Sequence, residues 1–347
     1  MIIIMEEGAS PEAISQVIEA IEAEGLKPFV NPGVERKVIA VLGVVDVAKI
    51  TIADKFAALS GVERVAIVSE PYKLASRAHH PAGTVIMVRG VPLGGRELCI
   101  IAGPCSVESR EQTIEIAHAV KAAGAHMLRG GAYKPRTSPY AFQGLGLTGL
   151  QILAEAREQT GLPIVTEVMD FFDCDEAKDY ADVLQIGARN MQNFRLLKKV
   201  GAMQLPVLLK RGFGCKVEDL LMAAEYIMAE GNHHVILCER GIITFETSTR
   251  FTTDINAIPV IKHHSHLPIV LDPSHAAGDW RYVADIALAG IAAGVDGLEI
   301  EVHNQPSKAK SDSAQALTPE KFADFMIRAR RVAEAVDRSI QPAETMV

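Results

Sequence analysis

The chain carries basic residues at positions where they could bind an anion together. The loop 128–146, LRGGAYKPRTSPYAFQGLG, holds one Lys, two Arg and no acidic residue, although the whole chain has a formal net charge of −8. Guanidinium groups bind phosphate and carboxylate through paired hydrogen bonds. With cations from later segments, the basic set is Arg129, Lys134, Arg136, Arg189, Lys210 and Arg240. If these side chains meet, they form a site for a substrate with several anionic groups.

A second set combines the side chains that bind transition metals. It consists of Cys105, His275, Glu301 and Asp312. A thiolate, an imidazole and two carboxylates would make a mixed site for a divalent transition metal. These residues lie far apart in the sequence, so their spacing alone is not a metal motif. The alternative is a buried thiol and a histidine that bonds a loop.

Three further patterns have competing explanations. GLGLTG at 144–149 matches the dinucleotide-binding pattern GxGxxG, but about a dozen loop residues separate it from the preceding strand. HHSH at 263–266 could bind a metal, although its polar context favours a solvated turn. Lys134 and Lys210 could form Schiff bases, but their cationic neighbours favour anion binding. The basic residues could also form ion pairs with Glu167 or Glu239.

The elements that must position these residues follow a regular alternation after residue 97. Short apolar runs alternate with amphipathic helical segments, and the runs are LCIIAG, HMLRGG, PIVTEV, VLQIGA, PVLLKR, HVILCER, PIVLDP and GLEIEVH. Apolar strands joined by helices predict a parallel sheet buried on both faces. Eight such units predict a TIM (β/α)8 barrel over residues 98–340, which is an α/β fold. The candidate residues follow the strand ends, where the active sites of such barrels lie.

The first 70 residues predict a separate small domain. MIIIM, LKPFV, RKVIAVLG and VERVAIVS read as strands, and two helical segments complete a ferredoxin-like βαββαβ order. Ser10 followed by Pro11 and Glu12 predicts the start of the first helix. Residues 71–97, which contain prolines and paired glycines, predict a connector, within which TVIMVRG could form one more strand.

Composition excludes some classes of protein. The acidic balance argues against nucleic-acid binding. No segment approaches 18 uninterrupted apolar residues, so we expect no membrane span. The five cysteines are an odd number without a CxxC pair, which predicts a reduced, cytoplasmic protein.

Several motifs resemble the 3-deoxy-D-arabino-heptulosonate 7-phosphate (DAHP) synthase family, from about residue 96 to 320. They are IAGPCSVES, LRGGAYKPRTSPYAFQGLG, QIGARNMQNF, LLKRG, ILCERG, LDPSH, and EVH followed by SD. The ferredoxin-like unit matches the subgroup with such a domain before the barrel. The resemblance implies condensation of phosphoenolpyruvate with D-erythrose 4-phosphate, the first step of the shikimate pathway, which supplies chorismate and the aromatic amino acids. The alternative is 3-deoxy-manno-octulosonate 8-phosphate synthase, whose loop contains Asn where this chain has KPRTS.

The resemblance also implies roles for the residues. The phosphate of phosphoenolpyruvate would meet Arg189, Lys210 and Arg240, and its carboxylate would meet Arg129 and Lys134. The phosphate of erythrose 4-phosphate would meet Arg136, Thr137 and Ser138. Manganese, iron, cobalt or zinc would be held by Cys105, His275, Glu301 and Asp312. Asp272 would place the aldehyde, Lys134 would donate a proton, and Glu167 or the metal shell would activate water.

The resemblance finally implies a homotetramer and an aromatic amino acid as feedback effector. Phe29 and Asn31 stand after LKP, where polar sensing residues would be expected. The segment SDSAQAL also departs from the family, which usually has Gly after Ser-Asp.

Overall fold

The computed structural model describes residues 1–31, 37–43, 49–66, 71–134, 138 and 140–341. Their contacts divide the chain into two compact units. The first comprises Met1–Ala82 with His264–His266, and the second comprises Gly83–His263 with the chain from Leu267 onward. The domain boundaries at residues 70 and 97 stay predictions.

The first unit is a helix-covered antiparallel sheet with the predicted ferredoxin-like order. Its elements are β1 (Ile2–Met5), α1 (Pro11–Ala23), β2 (Lys27–Asn31), β3 (Val38–Leu42), α2 (Lys49–Ala57) and β4 (Val62–Ala66). The strand order across the sheet is β2-β3-β1-β4. Helix α1 begins as predicted, because the Ser10 side chain accepts a hydrogen bond from the Ala13 amide and Pro11 opens the helix. Its inner face buries Val17 and Ile21.

The segment HHSH does not form the expected solvated turn. Ser265 and His266 are buried. The Ser265 hydroxyl donates to the Ala75 carbonyl at 2.6 Å, and His266 Nε2 donates to the Leu74 carbonyl at 2.6 Å. Burial lowers the pKa of His266 to about 4. The polar side chains therefore satisfy backbone carbonyls inside the first unit.

The second unit contains a closed barrel of eight parallel strands, as predicted. Around the barrel the strands follow the order of the chain, and the last strand pairs with the first, where Glu301 lies opposite Gly103. The strands are β7 (Cys99–Gly103), β8 (Met127–Arg129), β9 (Ile164–Val168), β10 (Val183–Ile186), β11 (Val207–Lys210), β12 (Val235–Glu239), β13 (Ile269–Leu271) and β14 (Gly297–Glu301).

Helices connect the barrel strands and a last helix follows them. They are α3 (Arg110–Ala123), α4 (Leu147–Thr160), α5 (Phe171–Ala177), α6 (Phe194–Ala202), α7 (Val217–Met228), α8 (Ala257–His264), α9 (Pro273–Ala277), α10 (Trp280–Ala293) and α11 (Pro319–Ala335). Several start at a capping side chain, as Ser109 caps α3 by accepting from the Gln112 amide.

Apolar side chains fill the N-terminal end of the barrel. Before the barrel, β5 (Ile86–Val88) and β6 (Val91–Leu93) form a hairpin that extends the single strand expected in the connector. Ile86 and Leu93 belong to one apolar cluster with residues from the first two positions of barrel strands, such as Cys99, Met127 and Ile236. Because this end is apolar, the buried charges of the barrel lie toward its C-terminal end.

No helix in the described ranges combines the length and the apolar character that a membrane span requires. All five cysteines carry free thiols. The cytoplasmic location stays a prediction.

Candidate active site

The four candidate metal ligands meet at the C-terminal end of the barrel. Cys105 follows β7, His275 lies in α9 directly after β13, Glu301 ends β14, and Asp312 lies in the following loop. One potential ligand atom of each residue lies within 4.8 Å of the other three. A thiol, an imidazole and two carboxylates at this separation fit a divalent transition metal. We call Cys105, His275, Glu301 and Asp312 the ligand cluster.

A hydrogen-bonded relay orients the two carboxylates of the ligand cluster. Arg250 Nη1 donates to Asp312 Oδ1 at 2.9 Å and to Gln315 Oε1 at 3.0 Å. Gln315 Nε2 donates to Glu301 Oε2 at 2.7 Å. The other oxygens face the cluster, where Asp312 Oδ2 lies 3.1 Å from Cys105 Sγ and Glu301 Oε1 lies 3.3 Å from His275 Nε2. Each carboxylate therefore offers one oxygen to an ion.

Asp272 fixes the orientation of the His275 ring. Its Oδ1 accepts from the His275 amide at 2.9 Å, and its Oδ2 accepts from His275 Nδ1 at 2.6 Å. The proton on Nδ1 leaves Nε2 as the ring nitrogen directed at the ligand cluster. Burial opposes the charge of Asp272, but His275 and Lys210 outweigh it and hold its pKa well below the usual range.

The surroundings shift the pKa values of Cys105 and Asp312 in opposite directions. Burial, with the charge of Glu301, raises the pKa of the Cys105 thiol to about 12. Burial also opposes the charge of Asp312, but His275, the bond from Cys105 and Arg250 lower the pKa of Asp312 below its usual range. Asp312 itself adopts the left-handed backbone conformation, with φ +48°. Ser313, which stands where the resemblance predicts Gly, does not have a positive φ.

A polar pocket opens beside the ligand cluster and shares His275 and Asp312 with it. We call it the cation pocket, and the other lining residues are Lys134, Glu167, Gln185, Gly187, Ala188, Arg189, Lys210, Phe213, Arg240 and Arg250. Four of the six predicted basic residues thus line one pocket. Glu167, expected from the sequence at this end of β9, lines it as well.

Arg240 is a buried cation held by aromatic rings. Its guanidinium lies 4.8 Å from the Phe213 ring centroid and 4.3 Å from that of Phe251. Its Nη1 has no hydrogen-bond partner among the residues that the structure describes. Burial lowers the pKa of Arg240. Since buried polar atoms are almost always paired, this nitrogen is placed to receive an anion from the pocket.

The remaining predicted cations lie deeper or close to the thiol. Lys134 Nζ donates to Cys105 Sγ at 3.1 Å. Arg129 is buried beneath the ligand cluster, where its Nη1 lies 3.3 Å from Glu301 Oε1. Lys210 Nζ lies 2.5 Å from Asp272 Oδ2. For both Arg129 and Lys210, burial disfavours the charge, but neighbouring carboxylates outweigh it and raise the pKa.

Only part of the loop that is predicted to bind the second phosphate lies within the described residues. Arg136 and Thr137 lie outside the described residues. Ser138 is exposed, and its hydroxyl accepts a hydrogen bond from the Tyr140 amide at 3.3 Å. Their assignment to erythrose 4-phosphate stays a prediction.

Two alternatives from the sequence have structural explanations. Ion pairs form at Arg129 and Lys210 of the basic set, although with other carboxylates than those expected. Glu239 instead pairs with Arg211, whose Nη1 lies 2.8 Å from both Glu239 and Asp254. In GLGLTG, Gly144 has φ +100°, and a Cβ there would lie 2.0 Å from the Ala132 carbonyl oxygen. This glycine is needed for packing against the chain's own loop, so the pattern has a reason other than a bound dinucleotide.

The sequence interpretation missed several residues of the site. They are Gln185, Phe213, Arg250, Phe251, Glu299 and Gln315. The signal for Glu299 was present, because in GLEIEVH it stands two residues before Glu301 and so points to the same face of the strand. Arg250 and Gln315 come from loops, whose course the strand pattern does not predict.

Comparisons with known proteins agree with this architecture. The DAHP synthetase I family model matches residues 84–338, and the model of the DAHP synthase ferredoxin-like domain matches residues 1–70. A phospho-2-dehydro-3-deoxyheptonate aldolase of Thermotoga maritima is 48% identical over 336 residues, which are 97% of this chain and 98% of that protein.

Solved structures and more distant relatives extend the comparison. The crystal structure of the Thermotoga maritima DAHP synthase superposes with a TM-score of 0.77 at 46% identity, covering 98% of both chains. A 2-dehydro-3-deoxyphosphooctonate aldolase of Syntrophobacter fumaroxidans is 30% identical over 257 residues, which are 69% of this chain and 88% of that protein. With a ferredoxin-like unit, a closed barrel and a ligand cluster beside a cation pocket, the chain belongs to the DAHP synthetase I family.

Proposed function

We infer that this chain condenses phosphoenolpyruvate with D-erythrose 4-phosphate to give DAHP and inorganic phosphate. This is the 3-deoxy-7-phosphoheptulonate synthase reaction of the family to which the chain belongs. The observation that carries the assignment to this pocket is Arg240, a buried guanidinium beside the ligand cluster whose Nη1 has no hydrogen-bond partner in the described part of the chain. An anionic substrate supplies a hydrogen-bond partner for this guanidinium.

The cation pocket would hold phosphoenolpyruvate at both ends. We assign its phosphate to Arg189, Lys210 and Arg240, which line the pocket together. We assign its carboxylate to Arg129 and Lys134, which lie on the side of Cys105. Phosphate and carboxylate repel each other and the second substrate, and closely placed cations reduce that repulsion.

The ligand cluster would hold manganese, iron, cobalt or zinc through Cys105, His275, Glu301 and Asp312. Such an ion, when bound, supplies a Lewis acid that makes an aldehyde more electrophilic. Asp272 keeps His275 Nε2 directed at the cluster, and the Arg250–Gln315 relay does the same for the carboxylates. These residues position the ligands and do not react.

The bond-forming step joins C3 of phosphoenolpyruvate to C1 of the aldose. The enol carbon supplies the electron pair, and we propose that Lys134 gives a proton to the aldehyde oxygen as it becomes a hydroxyl group. Positive charge develops at C2, and water adds there while Glu167 takes its proton. The resulting hemiketal phosphate then breaks the bond between C2 and the phosphate oxygen, the C2 hydroxyl proton leaves with the phosphate, and C2 becomes a ketone. The cradle of Arg189, Lys210 and Arg240 stabilises charge on the leaving group.

One assay tests this function. The purified, metal-loaded protein is mixed with phosphoenolpyruvate and either erythrose 4-phosphate or arabinose 5-phosphate, and released phosphate is measured. We expect release with erythrose 4-phosphate. Preference for arabinose 5-phosphate would instead assign the octulosonate reaction of the distant relatives, and release with neither would refute a condensing function.

The oligomeric state and the effector that the resemblance implies are tested by separate experiments. The homotetramer is tested by analytical ultracentrifugation. The aromatic effector is tested by measuring the reaction rate with tyrosine or phenylalanine. Phe29 and Asn31 lie on β2, at the positions where sensing residues would be expected.

A further inference from the structure

Glu299 is a buried carboxylate for which the proposed reaction has no use. It lies on β14, two residues before the candidate ligand Glu301, and its side chain is completely buried. Alternation along a strand directs both side chains into the barrel, with Glu299 one layer deeper. It is neither part of the ligand cluster nor a lining residue of the cation pocket.

Glu299 connects two cations across the inside of the barrel. Its Oε2 lies 2.9 Å from Lys210 Nζ, and its Oε1 lies 3.2 Å from Arg129 Nη1. The three residues come from β14, β11 and β8, none of which is adjacent to another in the barrel. One carboxylate therefore spans positions that the sheet itself does not join directly.

Burial of the Glu299 carboxylate contributes little to the stability of the fold. Neither oxygen accepts a hydrogen bond of good geometry from the residues that the structure describes. Its neighbour on β7 is apolar, because Glu299 pairs in register with Ile101, a member of the buried apolar cluster inside the barrel. A buried ion pair commonly stabilises a fold no better than an apolar side chain of similar size. The contacts with Arg129 and Lys210 are what the carboxylate adds.

We propose that Glu299 is a positioning residue that sets the separation between the two ends of the phosphoenolpyruvate site. The proposal rests on the proposed function, in which Arg129 meets the carboxylate of that substrate and Lys210 meets its phosphate. Because both cations are anchored to one buried group, their charged heads keep a fixed spacing. A rigid substrate of two anionic groups then binds without first ordering its partners.

Replacement of Glu299 should change the KM for phosphoenolpyruvate, and the direction of that change distinguishes a positioning role from a simple effect of its charge. A carboxylate near an anion site repels the anion, so by Coulomb's law alone its removal would tighten substrate binding. Loss of positioning has the opposite effect, because Lys210 then keeps only Asp272 and Arg129 only Glu301, and no shared partner fixes the spacing between the two cations. The two explanations predict opposite changes in the KM for phosphoenolpyruvate.

Two variants of Glu299 test the proposal. Glu299→Gln removes the charge and keeps the shape, whereas Glu299→Asp keeps the charge and shortens its reach. We expect each to raise the KM for phosphoenolpyruvate about 10-fold and to leave the KM for erythrose 4-phosphate within about twofold. Calorimetric titration of the metal-loaded protein with phosphoenolpyruvate alone should show the same loss of affinity.

Glu239→Gln is the matched control, because Glu239 is an equally buried barrel carboxylate that pairs with Arg211 instead. We expect it to lower the melting temperature without a selective change in the KM for phosphoenolpyruvate. A lower KM in Glu299→Gln would assign a background charge, and unchanged KM values with a lower melting temperature would assign a structural role; either result overturns the proposal. The wild-type assay tests the proposed function separately, and Glu299→Asp carries the test if Glu299→Gln does not fold.

Discussion

At the scale of single residues, the candidate metal site depends on a thiol that is held between a cation and a carboxylate. Lys134 donates to Cys105 Sγ, and the thiol donates to Asp312. Burial raises the pKa of this thiol to about 12, so without a bound cation it keeps its proton at neutral pH. A transition ion in the ligand cluster would be held by the thiolate form of Cys105, so its binding would release that proton.

Cys105→Ala should abolish high-affinity metal binding while the barrel still folds. The substitution removes the soft ligand of the cluster and leaves a small side chain, so we expect metal affinity to fall at least about 100-fold. Metal content after dialysis and the circular dichroism spectrum measure the two parts. Cys215→Ala is the control, since Cys215 lies outside the ligand cluster and should leave metal content unchanged. Full metal content in Cys105→Ala would remove Cys105 from the site.

At the scale of elements, β14 and the loop after it carry most of the acidic side of the site. Glu299 and Glu301 lie on the strand, and Asp312 and Gln315 lie on the loop. Arg250 reaches the same loop from the segment between β12 and α8. The orientation of two ligands therefore depends on a contact between loops that follow different strands.

Gln315→Leu should weaken metal binding without removing a ligand. It breaks the bond to Glu301 and one of the two bonds of Arg250, so both carboxylates lose orientation. Loss of such a partner typically costs 10–100-fold in metal affinity, and we expect about that effect. Competition with a fluorescent chelator measures it. Gln305→Leu, on an exposed position of the same loop, is the control; equal affinities for the two variants would contradict the relay.

Acid should destabilise the first unit through His266. Its pKa is about 4 in the folded chain, compared with the ordinary value of 6.5. Between these two pH values the unfolded chain therefore binds a proton that the folded chain does not bind. Stability is therefore complete above pH 6.5 and is lost as the pH falls toward 4, by about 2 kcal/mol at pH 5. Melting temperatures between pH 7 and 5 should fall more steeply for the wild type than for His266→Gln. Parallel slopes would show that His266 is not responsible.

At the scale of the whole molecule, an acidic chain maintains a basic pocket. The net charge is −8, yet Lys134, Arg189, Lys210, Arg240 and Arg250 line one cavity. The loop 128–146 contains no acid because, in the proposed reaction, the substrates supply the negative charge. Burial opposes the charge of Lys210, but carboxylates beneath the pocket, such as Asp272, outweigh it and raise its pKa.

Removal of metal should abolish activity of the intact protein reversibly. We expect a strong chelator to lower the rate of phosphate release by at least about 100-fold, because the aldehyde would then no longer be polarised by a Lewis acid. Manganese, iron, cobalt or zinc added after removal of the chelator should restore the rate, whereas magnesium should restore less because a thiolate ligand does not suit it. Full activity in metal-free protein would refute the metal requirement.

Periodicity was sufficient to predict both folds. Apolar runs such as LCIIAG and PIVLDP are buried on both faces only in a parallel sheet, and amphipathic segments between them cover it. Strand ends then predicted Cys105, Arg189, Lys210, Arg240 and Glu301 as neighbours. The hairpin of β5 and β6 was only half recognised, because a three-residue strand has too few positions to establish a period.

The amino-acid sequence by itself determined the strands, the helices and the chemical types gathered at one rim, because those follow from local alternation and the geometry of parallel strands. Only the tertiary structure decided which charges pair. It placed Glu299 between Arg129 and Lys210, brought Arg250 to Asp312, and buried Ser265 and His266 where a solvated turn was expected. Such pairings depend on side chains from distant strands and loops reaching one point, and no local pattern encodes that distance.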